Sequence, residues 1–428
     1  MQELLAILVF LTIYALLISE KVDRSIVAIL GATVLLFFGV FEDPLKAYTE
    51  YVDYNTIYLL IGMMLFVNTI KRSGIFQFFG LLTLKISGGN LVSLFFSLTF
   101  MVAFLSAILD NVTTILVTLP MTFAICDTIE VDPTVFVFGE IFASNIGGTM
   151  TLVGDPPNIM IGSAAGLTFM DFLKNTAPIA LLNLLVVDII ILIISRKSFK
   201  LGRDIREALK IDLRKTIVNM RDFKISLSLL LMVIILFTFQ HQLGTESSVI
   251  ALFVGFLSVL LMSKKGVKEI LKEVEWETIL FFLGLFIVVG GLEEVGLLER
   301  MGRFLMNLAK GNYVMTEMLI LNFSGLISAF VDNIPYTATM IPVIESLKKL
   351  DPVTFHNLNP LWWSLSLGAC LGGNGTAVGA SANVVGLAIF HDYYGSRRIS
   401  FLNFLKFGML VLAINLVLSS LYVLIRYR

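Results

Sequence analysis

The feature that most constrains this chain is that it repeats itself. Asp110-Asn111-Val112 leads to Pro120, and 222 residues later Asp332-Asn333-Ile334 leads to Pro342. The same offset carries the apolar run opening at Thr56 onto the run opening at Thr278, and pairs Gly62 with Gly284 and Gly74 with Gly296. A second block aligns at an offset of 225, matching Gly147-Gly148 with Gly372-Gly373, Thr151 with Thr376, Val153-Gly154 with Val378-Gly379, and Asn158 with Asn383. Two blocks in one order, at nearly one offset, point to a fold built twice from one unit.

That unit belongs in lipid. The chain is 57% hydrophobic and 15% charged, with a mean hydropathy of +0.90. A soluble exterior needs more polar residues than this leaves, and apolar segments near membrane-spanning length recur from 3–18 to 405–425. Segment 3–18 has no basic n-region or small-residue cleavage site and reads as a retained span. Two cysteines, Cys126 and Cys370, leave no basis for a disulfide framework or a multi-thiolate metal site. The net charge of -1 argues neither way about nucleic acid, but with no basic domain to bind it nucleic acid is not an expected partner.

Loop charge sets the orientation. The stretch 196–224 carries ten Lys/Arg against four acids and is expected in the cytoplasm. Lys264, Lys265, Lys268 and Lys272 put 263–277 on the same side, as do Lys71-Arg72 and Arg397-Arg398 for their turns. Segment 41–54, with Glu42, Asp43, Glu50 and Asp53 against Lys46, suits the outside. Both chain ends are then external. The expected organisation is a first repeat at 1–195, a basic linker at 196–224 and a second repeat at 225–428.

Each half reads as five crossings plus a re-entrant hairpin, at 91–125 and about 316–346, with one broken helix. Five is odd, so the second repeat must be inverted. Lys71-Arg72 inside and its partner Glu293-Glu294 outside follow that inversion. The expected fold is thus an all-α polytopic membrane protein of two inverted repeats, whose interrupted helices meet near the midplane as in secondary transporters.

The candidate site follows from the breaks. Pro156 and Pro157 remove backbone donors within an apolar segment, and broken backbone in lipid is tolerable only against protein or a wet cavity. Asp110, with Asn111, Thr113 and Thr114, tips the first hairpin; Asp332, with Asn333, Tyr336 and Thr337, tips the second. A carboxylate in hydrocarbon is costly and faces a partner, water or a pathway, although Asp and Asn also cap helices through their side chains. Asn145, Thr149, Thr151, Asp155 and Asn158 line the first broken region, and Asn374, Thr376, Ser381 and Asn383 the second. Asp155 has no acidic counterpart, because its partner is Ala380. Asp110, Asp155 and Asp332 are the candidate ligands for Na⁺ or carriers of H⁺ as coupling ion. No cofactor is expected. Cys370, which aligns with Asn145, reads as a small buried residue.

The runs DNVTTILVTLP at 110–120 and NIGGTMTLVGDPPNIMIGSAAG at 145–166 resemble the arsenite permease and NhaD-type sodium/proton antiporter family, with its P-protein relatives, in the wider ion transporter superfamily. The resemblance spans essentially the whole chain. It implies a scaffold and a mobile transport part, no ATP hydrolysis by the chain itself, and a translocation site at Asp110-Asn111, Asn145, Asp155, Asn158, Asp332-Asn333, Thr376 and Asn383. On that basis the first expectation is proton-coupled efflux of arsenite or antimonite from a bacterial or archaeal plasma membrane. Sodium/proton exchange is next, and a dicarboxylate or other anion carrier third, since the sequence offers the site no evident Arg or Lys. No nucleophile–base or metal constellation argues for an enzyme, and no Gly-rich phosphate loop for an intrinsic ATPase. An accessory ATPase and a homodimer remain compatible with this reading.

Overall fold

A computed structural model describes residues 2–19, 21–196, 198–199, 213–263, 267–272, 274–395 and 399–427. Lys197, Lys200, Arg203, Arg206, Lys210, Lys264, Lys265, Arg397 and Arg398, on which much of the orientation argument rests, lie outside the described residues.

The regular elements described are all helical. The first half runs α1 (Gln2–Ser19), α2 (Arg24–Phe37), α3 (Pro44–Thr49), α4 (Tyr54–Ile70), α5 (Ile75–Ile86) and α6 (Leu91–Ser106). It continues with α7 (Asn111–Ile129), α8 (Thr134–Gly148), α9 (Pro156–Ala165), α10 (Phe169–Asn175) and α11 (Ala177–Ile194). The second half runs α12 (Met220–Thr238), α13 (Gln240–Leu243), α14 (Ser247–Met262), α15 (Val267–Leu271), α16 (Trp276–Glu294) and α17 (Leu297–Leu308). It ends with α18 (Tyr313–Ser328), α19 (Asn333–Leu350), α20 (Asn359–Gly372), α21 (Ser381–Tyr394) and α22 (Phe401–Arg426). Helix α12 begins five residues earlier than the apolar pattern suggests, because Asn219 caps it by accepting the Arg221 N–H at 2.9 Å.

By length and composition, α1, α7, α11, α16 and α22 can each cross a membrane. Helices α4 and α5 meet at a 62° bend, where Gly74 takes a left-handed φ of 83°. Gly296 does the same, with φ 72°, between α16 and α17. Asn90 and Asn312 cap the next helices, α6 and α18, at corresponding places. The repeat is therefore written into caps and turns as well as sequence.

It is also written into packing. Helix α2 packs on α16 and α4 on α14, the latter pair being the former with the halves exchanged. Both crossings need glycine. A Cβ on Gly62 would lie 2.3 Å from the Ala251 carbonyl carbon, and one on Gly284 would lie 2.5 Å from that of Ala28. The pairs α6–α8 and α18–α20, α7–α21 and α19–α9, and α8–α11 and α20–α22 repeat the exchange. This is the packing of an inverted-repeat ion-transporter fold. The apolar core divides into a body around α1, α2, α4, α12, α14 and α16 and another around α6–α8, α11, α21 and α22.

The two hairpins form as expected, with one adjustment. The turn falls at 107–110, and Asn111–Thr114 already belong to the next helix, because the Asp110 carboxylate accepts the Thr113 N–H at 2.7 Å. Asp332 likewise caps α19 through the Ile334 N–H at 3.0 Å. Both acids are helix caps and still face the cavities described next.

Candidate functional site

Four helices begin at one place in the interior: α7 at Asn111, α9 at Pro156, α19 at Asn333 and α21 at Ser381. Each start turns the positive end of a helix dipole toward this place. Asp155 occupies the cap position of α9 but does not cap it. Its carboxylate, 1% exposed, instead accepts the Asn333 amide of the opposite unit at 3.2 and 3.3 Å. Asp155, whose repeat partner is Ala380, is thus held by the other repeat's hairpin.

A cavity of about 60 Å³ joins Asp110, Asn111, Asp155, Asn333 and Ser381, five of the sequence candidates. It shares Arg24, Val112, Glu275 and Ser381 with a larger cavity of about 410 Å³, which Asp332 also lines. The larger one reaches the end of α1, the start of α2 and the start of α16, the side that the loop charges assign to the cytoplasm. Cavities of about 320 and 380 Å³ lie toward the start of α4 and the end of α16, on the opposite side.

The sequence reading of a site without a basic residue is corrected here. Arg24 donates to Ser381 Oγ and to Thr278 Oγ1, each at 3.2 Å, and lies 3.8 Å from Glu277. Arg24 opens an apolar helix straight after a polar loop, and read alone that position suggests interface anchoring. Pairing across 357 residues brings it to the broken helix. Glu275 and Thr278 were missed with it. Burial, and after it the charge of Asp110, pushes the Glu275 carboxyl above its ordinary range.

The remaining candidates hold the breaks together. Asn111 donates to Asn145 Oδ1 at 3.2 Å, and Asn145 donates to Asn374 Oδ1 at 3.0 Å and Asn383 Oδ1 at 2.9 Å. The Asn158 amide reaches the carbonyls of Gly148, Thr149 and Thr151, and that of Asn383 those of Gly373 and Thr376. Thr151 donates to the Ala107 carbonyl and Thr376 to its repeat equivalent, that of Ala329. Thr149 and Thr114 bond within their own helices, Thr113 contributes its backbone N–H, and the buried Thr337 hydroxyl has no partner among the described residues. Carbonyls freed by broken helices must be paired when buried, and these side chains pair them. Cys370 is fully buried and donates to Asn158 Oδ1 at 3.4 Å, as a packed, bonded thiol.

Comparison with known proteins agrees with this architecture. The family described as citrate transporter, CitMHS, matches residues 14–368. A 46 kDa membrane protein of Mycobacterium leprae is 36% identical over 100% of this chain and 99% of its own length. An uncharacterized transporter of Mycobacterium tuberculosis is 37% identical over the same shares. The P protein of Mus musculus is 31% identical over 99% of this chain and 60% of that protein. The crystal structure of the YdaH transporter of Alcanivorax borkumensis, described as having an unusual topology, superposes with a TM-score of 0.60 at 14% identity, covering 91% of this chain and 88% of that one. The chain is a multi-pass, membrane-embedded secondary carrier of a small solute or ion, and by a family match over most of its length it belongs to the citrate transporter family.

Proposed function

We propose that the protein moves a small polycarboxylate, citrate or a close chemical relative, together with cations by alternating access. The observation that carries this is Arg24 beside the convergence of four helix starts, in a cavity also lined by Asp110, Asp155 and Glu275. A guanidinium and helix N-termini attract carboxylates. Three acids in the same cavity repel them unless protons or metal cations arrive too. An anion entering such a site is therefore obliged to travel with positive charge, and Asp110, Asp155 and Asp332 are its proposed carriers. The family's description supports the substrate class.

Sodium/proton exchange on the same acids is the second reading, favoured by the excess of carboxylates over Arg24 among the cavity residues. Arsenite efflux rests on the motif resemblance alone. The amides that would hold its hydroxyls, Asn145, Asn158 and Asn383, are engaged with each other and with backbone.

Purified protein in vesicles under imposed pH and sodium gradients separates the three. Gradient-driven citrate accumulation is expected. Sodium-dependent proton movement without carboxylate flux would transfer the assignment to the second reading, and arsenite flux without either would restore the first expectation.

A further inference from the structure

The cavity does not use every acid buried in this protein. Glu140, on α8, is fully buried, and Oε1 accepts the hydroxyl of Thr122 on α7. Thr118, one turn earlier, faces the same carboxyl. Among the described residues, Glu140 Oε2 and Thr118 Oγ1 otherwise lack a hydrogen-bond partner. Among the described residues no ion pair reaches Glu140.

The other titratable groups nearby are few. Helix α7 brings the Cys126 thiol, with Tyr394 of α21 beyond it. Helix α6 brings Thr99 against the adjoining Gly139, and Thr99 in turn bonds Asp188 of α11 at 2.7 Å. Helix α20 brings Cys370, which is bonded to Asn158. None of these supplies a positive charge, so the surroundings suit a neutral, protonated carboxyl.

The repeat shows that packing does not require an acid here. At the offset of 225 the equivalent of Glu140 is Leu365, equally buried, on the helix that packs against α18 as α8 packs against α6. The same fold therefore closes around leucine in the second unit. The asymmetry matches that of Asp155 and Ala380, and both acids lie in the first unit.

Glu140 is also connected to the cavity. Asn111, Thr114, Thr118 and Thr122 follow one another at helical spacing on one buried face of α7, with successive threonines about 6 Å apart along the axis. Asn111 heads this line, lines the cavity and bonds Asn145. We propose that Glu140 binds and releases a proton during transport, linked to the cavity by this line of hydroxyls. The proton is taken onto a carboxyl oxygen from water entering along the line and returned to water. No bond between heavy atoms changes. This inference rests on the cation-coupled reading above.

The test uses Glu140→Gln, which keeps the volume and the hydrogen bond to Thr122 but cannot titrate, with Glu140→Leu copying the second unit. In vesicles with equal solute on both sides, Glu140→Gln should exchange labelled citrate within about twofold of wild type, while uptake driven by a pH gradient falls about tenfold or more and its pH profile flattens. Asp188→Asn, off the α7 line, should retain both activities. Infrared difference spectra of the wild-type protein between acid and alkaline pH should contain a carboxyl band that Glu140→Gln lacks. Undiminished pH-driven uptake in Glu140→Gln, or loss of exchange and drive together in a protein that inserts and melts normally, would overturn the proposal. Absence of citrate exchange in the wild type would instead defeat the substrate reading, and the infrared band would still decide the fate of Glu140.

Discussion

The Nδ2 of Asn145 donates to Oδ1 of Asn383 at 2.9 Å, joining the broken helices of the two units side chain to side chain. The same amide group also donates to Asn374, so one residue supports three segments. Asn145→Ala leaves the Asn374 and Asn383 oxygens unpaired in a fully buried place. A loss of about 1–3 kcal/mol per orphaned group is expected, read as a lower melting temperature in detergent together with reduced transport. An unchanged melting temperature would mean that the junction is held elsewhere.

Arg24 distinguishes an anion carrier from a cation exchanger. Arg24→Lys keeps the charge but loses the planar fork that holds two hydroxyls at once. For a carboxylate substrate KM should rise about tenfold or more, with maximal rate less affected, and Arg24→Gln should be worse. For a carrier of cations alone, removing a positive neighbour should tighten binding. Concentration dependence of uptake in Arg24→Gln, which removes that charge, gives opposite signs for the two cases.

The two helix crossings make a paired prediction. Gly62→Ala and Gly284→Ala each press a methyl group against opposing backbone that cannot rotate away. Both should lower stability by about 1–3 kcal/mol, and by similar amounts if the units are equivalent. Thermal unfolding of the two variants in one detergent checks this, and a large inequality would show that the scaffold is not symmetric in energy.

Much of this was legible in the chain because repeats, glycines and prolines constrain backbone, and backbone sets the fold. The offset joining Asp110 to Asp332 predicted the hairpins, and Pro156-Pro157 predicted a break where α9 starts. Less could be read about which polar groups stay free. Asn158 and Asn383 looked like ligands, yet their amides are taken by the carbonyls that the breaks expose. Sequence does not reveal how many local carbonyls compete for an amide. Arg24 was invisible as a site residue because its partners, Thr278 and Ser381, come from the other unit. The proline pattern also could not say that Asp155 leaves its own helix uncapped and turns to Asn333.

Glu275 gives the molecule a pH-dependent stability. Burial first, then Asp110, raises its carboxyl above the ordinary range, against the opposing pull of Thr278 and Arg24. A raised value in the folded state means that folding favours the protonated form. The contribution is present at low pH and is lost as pH rises through the raised value. Glu275→Gln should therefore flatten the dependence of melting temperature on pH over that window. An identical slope in wild type and variant would remove Glu275 as its source.

Asp155 carries the central claim, because it is the fully internal acid of the cavity and has no repeat counterpart. The decisive measurement is accumulation of labelled citrate in vesicles under inward proton or sodium gradients, for wild type and Asp155→Asn side by side. The account predicts accumulation above the external concentration by the wild type, and at most equilibration by the variant. Wild-type protein that moves no citrate, or a variant that accumulates it undiminished, would contradict it.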